Sequence, residues 1–250
     1  MKLTRPFKNA LRALGLACSL ATASAATVDE LIARHEAAIG APELSKVKTL
    51  ELDLEITEGG GTIEAKYVTD RTGRMRVDIF AGGQRVWTEA LDGDTAWALE
   101  GGATAPKLEG PEGAAALKHG PLIPGKIYTL REAMARGVKI SLYGREKLDG
   151  VDYHVLQMSF PDGFKSYLYQ HPESGLIERQ RDERAMHPDA DLTKKRLESR
   201  FSDFRRVDGV LRSFKEQTFD LANGELQQTI LLKAVRTNPA VDPQRFTMPK

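Results

Sequence analysis

Leu50-Glu51-Leu52-Asp53-Leu54-Glu55-Ile56 alternates apolar and acidic side chains without a break. On an extended strand, successive side chains point to opposite faces. The pattern therefore sets three leucines and an isoleucine on one side and three carboxylates on the other. An amphipathic helix needs its apolar residues three and four apart, and these are two apart. The segment predicts a strand with one packed face and one wet face.

The same period continues downstream. Gly59-Gly60-Gly61 turns the chain into Ile63, Ala65, Tyr67 and Thr69, and Arg71-Thr72-Gly73 turns it again. Met75, Val77 and Ile79 then alternate with Arg74, Arg76 and Asp78. Gly82-Gly83 leads to Val86–Ala90, and Asp92-Gly93 leads to Thr95–Leu99. The second half repeats the scheme from Val138, with turns at Asp149-Gly150, Asp162-Gly163, Ser174-Gly175, Asp208-Gly209 and Asn223-Gly224. Asp-Gly and Asn-Gly pairs between alternating runs are the strongest short-range hairpin signal, because both residues tolerate positive φ. Successive hairpins place antiparallel strands side by side.

Helices are few. Val28, Leu31, Ile32 and Ile39 share one helical face, with Thr27 as N-cap, Asp29 and Glu30 in the first turn, and Gly40 then Pro42 as a stop. Residues 101–110 are rich in Gly, Ala and Pro and read as a loop. Glu112–His119 and Ile127–Arg136 read as short helices that interrupt the strand series. The expected fold is mainly β with α: a strongly curved antiparallel sheet of about eleven strands, forming an incomplete β-barrel closed by two or three helices. A sheet that long must curl or split.

The N-terminus sets an expected compartment. Lys2, Arg5, Lys8 and Arg12 precede an apolar run from Ala13 to Ala21, and Ala23-Ser24-Ala25 matches a cleavage site. This order reads as a signal peptide over 1–25, followed by one domain over 26–250. The apolar run is roughly 10 residues, short of the ~20 a spanning helix needs. Cys18, the single cysteine, is either lost with the leader or lipidated; Leu16 lies two positions before it, where a lipobox has leucine three before. Removing four bases and no acids turns the formal +1 into 32 bases against 35 acids, or −3. A near-neutral mature chain without thiols implies no nucleic-acid partner, no disulfides and no cysteine-based metal site or nucleophile.

Reactive motifs are absent: the chain has no GxSxG elbow, P-loop or HExxH. His187-Pro188-Asp189-Ala190-Asp191 is the one cluster with metal-binding residue types, and a charged loop explains it more simply. Arg179–Arg200 carries both signs of charge and reads as a solvated hairpin or a docking surface. The expectation is a protein with no catalytic residues, no metal and no cofactor.

Four segments resemble the LolA-like outer-membrane lipoprotein-sorting proteins, a superfamily that also contains lipoprotein-receiving and envelope-stress-sensing members. They are Arg71-Thr72-Gly73-Arg74-Met75-Arg76-Val77-Asp78-Ile79; Leu91-Asp92-Gly93-Asp94-Thr95-Ala96-Trp97, similar to a "DGxTxW" hairpin; Phe201–Leu211, similar to "YSDYREVDGVLFP"; and Asn238–Pro249, similar to "NPPVDDSLFxMP". The resemblance spans Val28 to the C-terminus. It implies a periplasmic half-barrel whose sorting-type members hold acyl chains in an apolar interior and carry lipoproteins across the periplasm. It also implies a transfer role for the arginine matching Arg71, although Thr72 stands where a proline commonly follows.

These readings converge on a non-catalytic, monomeric periplasmic carrier. Leu52, Leu54, Ile56, Met75, Val77, Ile79, Val86 and Trp97 are its candidate apolar lining, and Arg71 is a candidate for cargo transfer. The partners expected are lipid or lipoprotein acyl chains. The alternative is an envelope interaction or stress-sensor protein that uses the same fold to bind proteins.

Overall fold

Two meanders of β-strands meet edge to edge in one antiparallel sheet. The computed structural model describes residues 26–124 and 126–250; the expected leader, its cleavage site and Cys18 lie outside these residues. The first meander is β1 (Thr49–Glu58), β2 (Gly61–Asp70), β3 (Met75–Ala81), β4 (Gln84–Asp92), β5 (Thr95–Glu100) and β6 (Lys107–Leu108). The second is β7 (Lys139–Leu148), β8 (Val151–Ser159), β9 (Lys165–Gln170), β10 (Ile177–Arg184), β11 (Lys195–Val207), β12 (Val210–Asp220) and β13 (Leu226–Thr237). The spatial order is β6-β5-β4-β3-β2-β1-β13-β12-β11-β10-β9-β8-β7, so the first long strand pairs with the last. The sheet curves without closing, and β6 and β7 are its free edges.

The count is thirteen strands where about eleven were expected. The stretch 101–110, expected as loop, contains β6, whose two residues pair with Trp97 and Ala98. Two residues carry no periodicity, so nothing in the sequence marked them. The hairpin turns follow their chemistry. Asp149-Gly150 and Asp208-Gly209 adopt positive φ at both positions (49° and 87°, 48° and 82°), the backbone that twists with the flanking strands.

Four α-helices lie among the described residues: α1 (Val28–Ile39), α2 (Ala41–Leu44), α3 (Pro111–His119) and α4 (Leu130–Ala135). In α1, Thr27 and Glu30 form a capping box, and Gly40 ends the helix at φ 80°. Pro42 does not simply follow a stop; it occupies the first turn of α2, where its missing N–H costs nothing. α4 is shorter than the expected 127–136 because Thr129 takes the N-cap and forms a second capping box with Glu132.

All four helices lie on one face of the sheet. One core cluster joins Ile39, Leu44 and Leu117 of the helices with Ile127 and Tyr128 of the linking segment. These pack on Leu50, Leu52, Tyr67, Met75, Leu91 and Ala96 of the first meander. A second joins Leu31, Ile32, Leu130 and Ala133 to Leu156, Met158, Phe160 and Leu168 of the second meander. Burial of these side chains supplies the main drive for docking the cover, at ~25 cal/mol per Å² of apolar surface.

Candidate ligand cleft and its cover

Strand register decides which residues share the helix-covered face. Leu50 lies opposite Thr69, which lies opposite Met75; Leu52 leads in the same way to Tyr67, Val77, Glu89 and Ala98. Leu54 aligns with Ala65, Ile79 and Trp87, and Ile56 with Ile63 on one side and Ile230 on the other. Six of the eight predicted lining residues therefore meet on this face: Leu52, Leu54, Ile56, Met75, Val77 and Ile79. Leu52 and Met75 are buried in the first core cluster, with Leu54 and Val77 packed against it. Ile56, Ile63, Ile79, Trp87 and Ile230 are half-buried. The apolar surface thus runs continuously from beneath the helices towards the open end of the half-barrel.

Trp97 and Val86 are placed elsewhere. In β5 the alanines at 96 and 98 face the cover, so Trp97 points to the opposite, outer face. It is fully buried there because the C-terminal segment straps over it: its indole Nε1 donates to the Phe246 carbonyl at 2.8 Å. The Arg76 guanidinium lies 5.7 Å from its ring centroid, and Arg76 Nη1 donates to the Arg245 carbonyl at 2.9 Å. Val86 sits at a register shift between β3 and β4 and is 40% exposed. β5 alternates with its small residues inward and its large one outward, because the strap gives the outer face a core of its own.

Arg71 is the anchor of the cover. It lies in the β2–β3 turn and reaches up to the helices. Its Nε donates to the carbonyl of Val47 (2.5 Å), Nη2 to those of Leu44 (2.6 Å) and Ile127 (3.1 Å), and Nη1 to Glu132 Oε1 (2.5 Å). One guanidinium thus ties the end of α2, the segment after it, the linking segment and α4 to a single hairpin. The Arg71 carbonyl accepts from Tyr128 Oη and Arg136 Nη2, both at 2.8 Å, and Arg136 stacks 4.1 Å from the Tyr128 ring centroid. Burial opposes ionisation of Glu132, but the Thr129 amide and Arg71 outweigh it and hold its pKa below the usual carboxylate range.

The covered face also carries charge that sequence reading missed. Glu89 and Glu216 lie on it by register, and Lys126 enters from the segment before α4. Burial, with Glu109 and Asp189 adding to it, pushes the Glu89 carboxyl up to about 7, while His187 and Lys126 pull the other way. Nothing marked Glu89 beforehand except its parity with Leu91 in β4. Lys126 lies between structural elements, where periodicity says nothing.

The segment Arg179–Arg200 is β10, its loop and part of β11. On the outer face, the fully buried Glu198 accepts from Arg179 Nη1 (3.0 Å), Arg181 Nε (2.6 Å) and Arg200 Nε (2.6 Å). Much of this charge is therefore spent within the sheet. In the loop, His187 Nε2 is 2.6 Å from Glu58 Oε1. Among the described residues, no group of three or more His, Cys, Asp or Glu side chains is arranged to hold a metal.

Two spaces border the cover. A cavity of about 50 Å³ lies between α1 and β10–β12, bordered by His35, Ile39, Leu176, Phe201 and Arg212. A cleft of about 210 Å³ opens beside α3, between the β2–β3 and β4–β5 turns, bordered by Leu91, Lys118, Leu122, Tyr128 and Arg136. Ligand sites commonly measure ~300–1,000 Å³, so neither of these two spaces holds a long apolar ligand as it stands.

No family model and no curated protein matches the sequence. Solved structures do match the fold. A LolA superfamily protein from Nitrosomonas europaea superposes with a TM-score of 0.60 at 12% identity, covering 89% of this chain and 98% of its own. A DUF1329 family protein from Desulfovibrio piger gives 0.55 at 12% identity, over 87% and 97%. A Vibrio parahaemolyticus domain described as an outer membrane lipoprotein-sorting protein gives 0.55 at 12% identity, over 87% and 93%.

Proposed function

We propose that this chain, whose fold is LolA-like, is a non-catalytic carrier that holds the acyl chain of a lipid or lipoprotein between its curved sheet and its helical cover. The observation that carries this reading is the unbroken apolar face from Leu52 and Met75 out to the half-buried Ile56, Ile63, Ile79 and Ile230. Burying each methylene there is worth ~0.8 kcal/mol, so one chain binds with few polar contacts.

Entry follows from the way the cover is fastened. The small cavity is the closed state, and the Arg71 hydrogen bonds are the fastening that cargo must loosen. Arg71 thereby acts on transfer by setting how readily α2 and α4 lift. We further infer that residues 1–25 are a leader cleaved on export, that 26–250 form one domain, and that the mature protein works as a monomer in the periplasm.

The test is direct. The protein is purified from cells without detergent, extracted with organic solvent and examined by mass spectrometry, then titrated with a fluorescent fatty acid. Co-purifying lipid or saturable binding is expected. Neither lipid nor binding would sink the carrier reading. N-terminal mass analysis of the same sample should show a chain beginning at Ala26.

A second reading, a protein-binding role in the envelope, is favoured by one feature. The free edge strand β7 exposes Leu142 (38%) and Tyr143 (66%), the latter at a register shift against β8, as an apolar spot on the border of the sheet. A charge introduced at Tyr143 should abolish capture of a partner while leaving fatty-acid binding intact.

A further inference from the structure

We propose that Lys126 is a head-group anchor on the covered face of the sheet, which selects single-chain amphiphiles with an anionic carboxylate or phosphate head. This rests on the carrier reading and names the chemistry of its cargo.

Three observations support it. Lys126 leaves the linking segment towards the sheet, and its ammonium lies 4.6 Å from the ring centroid of Tyr67, which β2 presents on the covered face. Its backbone carbonyl is fixed by Arg212 Nη1 at 2.8 Å, so the side chain projects from a held point. Among the described residues, no carboxylate comes within ion-pair distance of its Nζ, although protein surrounds it closely enough for burial to lower its pKa. Glu216 and Glu89 act on it only at longer range, and Arg184 opposes them.

An ammonium held this deep without an ionic or hydrogen-bonding partner is costly, and a charge-assisted bond to a bound anion removes that cost. The residue keeps partial solvent access, so it borders open space rather than packed core. Glu89, whose charge acts on Lys126 at longer range, likewise makes no hydrogen bond or ion pair among the described residues. Near Lys126 the apolar face continues through Val77 and Leu52 on either side of Tyr67, which accommodates the chain behind the head. A neutral head would leave the ammonium as it is now.

Binding is measured for a fluorescent fatty acid, the matching fatty alcohol, lysophosphatidic acid and inorganic phosphate, with wild type, Lys126→Met and Lys126→Arg. The acid and the lysophosphatidic acid should bind wild type roughly tenfold or more tighter than the alcohol. Lys126→Met should reduce them to the level of the alcohol without changing the alcohol, and Lys126→Arg should restore the preference. Equal binding of acid and alcohol to wild type overturns the anchor while leaving the carrier reading standing, as does a preference that survives Lys126→Met. Displacement of the acid by inorganic phosphate alone assigns the site to a free anion and also overturns it. Failure of every amphiphile to bind takes down both readings. Should Lys126→Met not fold, the wild-type comparison and Lys126→Arg still decide the question.

Discussion

At the scale of single residues, two buried titratable groups give the fold opposite responses to pH. His35 sits on the packed face of α1, its Nδ1 3.1 Å from the Gly175 carbonyl, and burial lowers its pKa to about 4. The unfolded chain binds that proton near pH 6.5, so the native state is fully favoured above 6.5 and loses stability as pH falls towards 4. The loss amounts to roughly 3 kcal/mol. Replacing His35 with Gln should flatten this limb in chemical denaturation series at pH 7 and pH 4.5. Glu89 works the other way. Its native pKa of about 7 lies above the unfolded value, so stability present at low pH is lost as pH rises from about 4.5 through 7. Glu89→Gln should therefore stabilise the protein at pH 8, by on the order of 2 kcal/mol, and change little at pH 4. Equal effects at both pH values would remove Glu89 from the interior. Arg71 was legible as a special turn residue through resemblance, but its four bonds to carbonyls and Glu132 were not, since they join positions as distant as 44 and 132. Arg71→Met should cost about 2–3 kcal/mol and raise amide exchange in α2 and α4 before it raises exchange in the sheet.

At the scale of elements, what was legible followed local chemistry. The β1 alternation, the Asp-Gly turns and the bounds of α1 were all written in neighbouring residues, and they formed as expected. What escaped had no local signal. β6 is two residues of borrowed pairing, and α2 was hidden behind a proline read as punctuation. The inward side of β5 depended on a C-terminal strap some 150 residues away. The strap's sequence was recognised by resemblance, yet its partners, Trp97 and Arg76, were not deducible from it. α4 offers a clean test of local reasoning. Its six residues are too few to hold as a helix on propensity alone. Thr129 caps it through Glu132, which also grips Arg71. Thr129→Ala should cost ~1 kcal/mol from the cap alone. A larger loss, accompanied by faster exchange at the Arg71 contacts, would mean that cap and fastening are one unit.

At the scale of the whole molecule, fold class was readable because two long series of hairpin-linked strands leave few topologies open. Interior polarity was not, because it depends on register across strands far apart in sequence. In the cover, α4 packs on the second meander and α3 on the first, α1 touches both, and Arg71 links the linking segment and α4 back to the first. The two halves of the sheet meet only where β1 lies against β13, with Leu50 opposite Thr237. That seam has a consequence for how the chain is made. β1 emerges from the ribosome early, but its outer neighbour is among the last segments to appear. Until then each meander is left with a raw border that any foreign strand can zip onto, and closing so long a loop is slow. A chain cut before Leu226 should not become a slightly weakened protein. It should fail to assemble at all and clump, whereas supplying residues 226–250 as a separate peptide should rescue folding.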